Sequence, residues 1–120
     1  MKSSKFVFLL TRLFASSLLS AQNPKASKWI VDRCTKITAK ITKDLNLSKE
    51  DSVKFETIII NKNVFEIEKL KGLKTIDEKK EVYKVSGADF SKNLNVSFPK
   101  DLAKKVNSWW MENYKSLNTL

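Results

Sequence analysis

The chain has 120 residues, 42% of them hydrophobic and 30% charged, which suits one folded domain with a modest core. It is basic, with 23 Lys and Arg against 13 Asp and Glu, and lysine supplies nearly all of the excess because the two arginines are Arg12 and Arg33. Nucleic acid is thereby disfavoured as a partner, since bidentate phosphate and base contacts call for arginine. The absence of histidine removes the usual general base and metal ligand, and the single Cys34 allows neither an internal disulfide nor a cysteine-rich zinc site.

Residues 1–21 read as a secretory signal peptide, leaving 22–120 as a single small helical domain. Lys2 and Lys5 give a positive start, Phe6 to Leu10 and Leu13 to Leu19 give the apolar stretch, and Ser20-Ala21 precede polar Gln22-Asn23-Pro24. Arg12 interrupts the apolar run, so an uncleaved amphipathic segment or an ordinary first helix stays open. A spanning anchor would need ~20 apolar residues without such a charge. Export would put Cys34 in an oxidising compartment, where an odd thiol is either buried or paired between chains.

The remainder predicts an all-α fold of about four amphipathic helices in a helical-hairpin arrangement. Gly72, Gly87, Pro24 and Pro99 are the only strong breakers, too few for a meander of short strands. Over 25–45, Ile30, Cys34, Ile37, Ile41 and Leu45 recur at three- and four-residue intervals, a helical stripe that places Cys34 in a core. Ser48-Lys49-Glu50-Asp51 matches a helix start, a hydroxyl followed three residues later by an acid. The run after it, Phe55 through Leu70, is rich in β-branched residues. An α+β alternative therefore places a hairpin over 53–70, turning at Asn61-Lys62-Asn63.

Thr75-Ile76-Asp77-Glu78 is a second capping box. Val82, Val85 and Phe90 are the residues of the following helix expected to face a core, and Gly87 weakens it. A fourth helix is expected to start near Ser97, with Pro99 tolerated in its first turn. Leu102, Val106, Trp109, Trp110, Met111, Tyr114 and Leu117 give it an apolar face. Leu45-Asn46-Leu47-Ser48 also recurs as Leu94-Asn95-Val96-Ser97, which suggests a duplicated helix-turn-helix layout.

Two stretches, Ile37 to Asp51 and Leu94 to Val106, resemble the motifs of the periplasmic LTxxQ proteins, the Spy and CpxP-like group. Leu47-Ser48 with Asp51, and Val96-Ser97 with Lys100, stand where that group has leucine-threonine and, three residues on, glutamine. The resemblance implies an exported, curved helical hairpin, often a homodimer, and for some members ATP-independent chaperone activity or modulation of envelope stress. The metal-sensing members use histidines, which this chain lacks.

The functional expectation is an exported binding protein whose partner is a protein client or an envelope protein, located in the periplasm and needing no cofactor. Adjacent Trp109 and Trp110 point about 100° apart on a helix, so both cannot be central core. With Tyr114 they are the candidate partner contacts, against the plainer alternative that both indoles pack inside. Motif and helix-cap positions are Leu47, Ser48, Asp51, Thr75 and Ser97. The alternatives are a structural or assembly subunit of an envelope complex, and a basic protein that meets a membrane surface through an uncleaved N-terminus. Catalysis is not expected: Cys34 has no histidine to activate it, and Asp77 and Glu81 stand among lysines.

Overall fold

A computed structural model describes residues 23–119, so the leader reading of 1–21 lies outside the described residues. The described residues form four α-helices, α1 (Lys28–Leu45), α2 (Lys49–Leu70), α3 (Ile76–Ser97) and α4 (Lys100–Asn113), and end in a 3₁₀ turn, Ser116–Thr119. The helices pack in chain order and α4 returns to touch α1. Two successive hairpins are thus closed into a bundle by the last helix.

Helix α1 buries Ile30, Cys34, Ile37 and Ile41, the stripe expected from their spacing, together with Thr38. It stops at Asn46, whose backbone is left-handed (φ 53°, ψ 51°) and whose N–H donates to the Thr42 carbonyl. Asparagine is among the few non-glycine residues that visit this region readily. Helix α2 starts directly afterwards. The Ser48 hydroxyl accepts from the Asp51 N–H at 3.1 Å, and Glu50 and Asp51 lie in the first turn, where the helix dipole favours negative charge. The Thr42 and Ser52 hydroxyls meet at 2.7 Å and tie the ends of α1 and α2 together.

Residues 53–70 are helical throughout, so the hairpin alternative fails. Three successive isoleucines, Ile58, Ile59 and Ile60, are all buried, along with Phe55 and Val64. A strand would send alternate residues to opposite faces and need a covering layer on each. Here α2 lies between α1 and α3, so helical steps carry consecutive isoleucines into two different contacts. The residues that would have formed the turn, Asn61-Lys62-Asn63, sit in the helix interior. The Asn63 side chain donates back to the Ile59 carbonyl at 2.8 Å.

After α2 the chain reverses through Gly72, whose φ of 76° suits a residue without a Cβ. The Thr75 hydroxyl then accepts from the Glu78 N–H at 3.2 Å and meets the Glu78 carboxylate at 2.7 Å. Helix α3 continues unbroken through Gly87 and buries Ser86, Phe90 and Leu94, spaced four apart. Of the three residues expected to face a core, Phe90 is buried, Val82 lies on the same row four positions before Ser86 and is half-buried, and Val85 stands one position off the row and is exposed.

Ser97 is not the cap of the fourth helix, as its sequence context suggested, but the last residue of α3. Pro99 excludes the helical region for the residue before it, so Phe98 turns extended (φ −125°, ψ 152°) and is buried. Pro99 itself stands at the N-cap of α4 and offers no side-chain bond. The two four-residue copies consequently differ in conformation: 45–48 bridges two helices, whereas 94–97 is helix.

Candidate functional site

Phe55 on α2 organises the aromatic part of the interior. Its ring meets Trp109 edge-on (6.4 Å between centroids, planes at 90°) and Trp110 at 6.4 Å and 60°. Such edge-to-face contacts add to the gain from burial. The neighbouring indoles then diverge. Trp109 is 5% exposed, and its Nε1 donates to Asp44 Oδ2 on α1 at 2.8 Å, with Lys40 Nζ 3.7 Å from the same oxygen. That indole is committed to the α1–α4 junction, and its N–H, which burial would otherwise leave unpaired, is satisfied.

Trp110 turns the other way and is only partly buried. It packs on Phe90 of α3 at 5.0 Å between centroids. These two rings form one wall of a cleft of about 510 Å³, bounded by Arg33 and Ile37 on α1, by Lys62, Asn63 and Glu66 on α2, and by Leu117 below. The volume falls within the ~300–1,000 Å³ of ligand clefts. Tyr83, Met111 and Tyr114 carry the apolar lining out to the rim, where they are 54%, 63% and 42% exposed. Gly87 lies in the α3 wall, and a Cβ there would meet nothing within 4 Å.

Lys62 and Glu66 are a turn apart on α2 and pair through both carboxylate oxygens, at 3.0 and 2.9 Å. Their side chains are 14% and 16% exposed. The ammonium also stands 5.6 Å from the Trp110 centroid and 5.9 Å from that of Phe90, over both ring faces. A cation over aromatic faces is attracted by their quadrupoles, and partial burial strengthens the contact. The cleft therefore joins a flat aromatic surface to a positioned positive charge.

Cys34, on α1, has no exposed surface, and its sulfur accepts a long contact from the cleft residue Asn63 through Nδ2 at 3.6 Å. Burial pushes its thiol from the usual 9.0 up to about 12; Glu56 adds to the rise and Arg33 opposes it. Such a thiol is protonated and inert at neutral pH. Being buried, it is also out of reach of a thiol on another chain. Among the described residues no group of three or more Cys, Asp or Glu side chains is placed to hold a metal ion, and no helix is long and apolar enough to cross a membrane.

Of the residues singled out from sequence, Trp110 and Tyr114 meet in the cleft. Trp109 does not: it is 5% exposed, bonds Asp44, and borders a separate surface groove with Leu45, Asp101, Lys104 and Glu112. Ser48 and Thr75 cap their helices, Asp51 supplies the N–H that Ser48 binds, Leu47 is half-buried in the 46–48 connection, and Ser97 caps nothing. Sequence reasoning missed Lys62, Glu66, Tyr83 and Gly87 as cleft residues. One signal was available, the i, i+4 pairing of Lys62 with Glu66, but it recurs on many solvated helix faces. No protein-family model matches the chain, and neither a curated protein nor a solved structure is detectably similar to it.

Proposed function

We propose that this chain is a binding module that holds a segment of another protein in the Trp110–Phe90 cleft, as an ATP-independent chaperone or a modulator of envelope stress would. The observation that carries the reading is the open aromatic wall with a paired lysine over it and an apolar rim of Tyr83, Met111 and Tyr114. Export to the periplasm belongs to the same proposal, supported by the leader-like residues 1–21 and by the likeness of 37–51 to an LTxxQ motif. A dominant native species that starts at Gln22 is the expected result of intact-mass measurement.

The test is aggregation of a reduced or heat-unfolded client, followed by light scattering, with substoichiometric protein and no ATP. Suppression that weakens as salt rises is the expected outcome, because a lysine-rich surface attracts its partner through screened charge. Scattering unchanged at equimolar protein would remove the chaperone reading.

A second reading, a structural or assembly subunit, is favoured by apolar side chains exposed outside the cleft: Trp29, Ile76 and Val96. It requires a permanent oligomer. Sedimentation equilibrium showing a monomer at micromolar concentration would exclude a self-assembling subunit.

A further inference from the structure

The charge around the cleft is segregated. Among the described residues Glu66 is the one acid that lines it, and its carboxylate is occupied by Lys62. Residues three or four positions apart on a helix are surface neighbours. On every helix, the positions at that distance from a cleft-lining residue hold no acid other than Glu66. They hold lysines: Lys36 beside Arg33, Lys40 beside Ile37, Lys69 beside Glu66, Lys79 and Lys80 beside Tyr83, Lys84 beside Gly87, Lys104 beside Asn107 and Lys115 beside Met111. Lys40 pairs with Asp44, and Lys104 also borders the neighbouring groove with Asp101 and Glu112; the other six make no ion pair with a carboxylate among the described residues. The acids of α3 and α4, Asp77, Glu78, Glu81, Asp89, Asp101 and Glu112, are not at those positions, although Asp89 borders Lys62 and Phe90 from their other side.

Gly87 bears on the same surface. It does not have a positive φ, and no atom approaches within 4 Å of where its Cβ would be, so neither turn geometry nor close packing accounts for a glycine in the middle of a 22-residue helix. What the missing side chain leaves is open space between Tyr83 and Phe90, on the cleft side of α3.

We infer that the cleft takes a polypeptide segment in which large apolar side chains alternate with acidic ones. An apolar side chain enters over the bare face of Gly87 against Phe90 and Trp110, and the flanking carboxylates meet the surrounding lysines. This rests on the binding-module reading and specifies the segment bound. A polypeptide fits better than a bilayer, because the aromatic wall is recessed between helices and a flat surface would touch only the rim. It fits better than nucleic acid because the ring around the cleft is lysine, a point charge, apart from Arg33.

The test uses the purified full chain and fluorescein-labelled twelve-residue peptides, read by anisotropy. One peptide alternates Phe and Leu with Asp and Glu, a second replaces the acids by Asn and Gln, and a third by Lys. The acidic peptide is expected to bind at least about tenfold more tightly than the neutral one, with affinity falling as salt rises, and the lysine peptide not at all. Gly87→Leu, which fills the opening, should abolish binding while circular dichroism stays native and the melting temperature does not fall, and Gly87→Ala should retain most of the binding. Should Gly87→Leu disturb the fold, the Lys80→Glu/Lys84→Glu variant decides, with a loss of about tenfold expected. Equal binding of all three peptides, indifference to these substitutions, or tighter binding of anionic phospholipid vesicles or a single-stranded oligonucleotide would overturn the proposal. Suppression of client aggregation without preference for the acidic peptide would overturn it and leave the binding-module reading standing.

Discussion

Trp109 and Asp44, 65 residues apart in the chain, share a hydrogen bond of 2.8 Å from the indole Nε1 to the carboxylate Oδ2. The bond joins α4 to α1, the first helix to the last, and so closes the bundle. It also divides the labour of the tryptophan pair: one indole holds the fold, and its neighbour faces the cleft.

Substitutions at the two tryptophans should therefore separate stability from binding. Trp109→Phe keeps a ring against Phe55 but removes the donor to Asp44, which is 40% exposed and keeps Lys40, and should cost about 0.5–1.5 kcal/mol. Trp109→Ala also opens a cavity and should cost about 3–5 kcal/mol. Trp110→Ala removes a partly exposed ring, should cost less than Trp109→Ala, and should weaken client binding. Urea unfolding and client binding, measured on the same variants, check this.

Gly87→Ala should stabilise the chain. A helix-interior glycine is about 0.8–1 kcal/mol less favourable than alanine, and the added methyl meets nothing within 4 Å. An upward shift of the urea midpoint with an unchanged slope is the expected result. A downward shift would mean that the α3 wall closes more tightly than these distances show.

Ser48 and Ser97 end similar four-residue segments and should respond differently. Ser48→Ala removes an acceptor from the Asp51 N–H and should cost about 1 kcal/mol. Thr75→Ala should behave likewise. Ser97→Ala should fall within about 0.5 kcal/mol of the parent, since its side chain caps no helix. Equal losses at Ser48 and Ser97 would contradict the break that Pro99 imposes.

Cys34 gives a pH dependence with a definite sign. Below pH 9 the thiol is protonated in both folded and unfolded chains and contributes no slope. Between 9.0 and about 12 the unfolded chain releases its proton while the folded chain keeps it, so stability falls as pH rises through that window. Lysines titrate in the same range, and the comparison is therefore with Cys34→Ala, whose stability should decline less steeply. At pH 8 the native thiol should resist a maleimide that modifies it promptly in urea. Rapid labelling of the folded chain would show that the α1–α2 seam opens.

The amphipathic spacing in α1 and the two hydroxyl caps before α2 and α3 were legible in the sequence. The start of α4 was not: Ser97 stands in the context of a cap, but the Pro99 ring crowds Phe98 out of the helical region and leaves Ser97 as the end of α3. Each legible feature depends on atoms within a turn or two of the residue concerned: a side-chain oxygen reaching a nearby N–H, or a stripe recurring every three or four residues. Those local terms determined a mainly helical chain and the starts of α2 and α3. They could not decide between helix and hairpin for the isoleucine run, since the choice depends on α2 having α1 on one side and α3 on the other. Nor could they tell Trp109 from Trp110, identical neighbours whose surroundings, Asp44 on one side and Phe90 on the other, come from distant helices. The cleft was out of reach for the same reason. Its walls belong to four helices, and the space beside Gly87 exists only once they are packed.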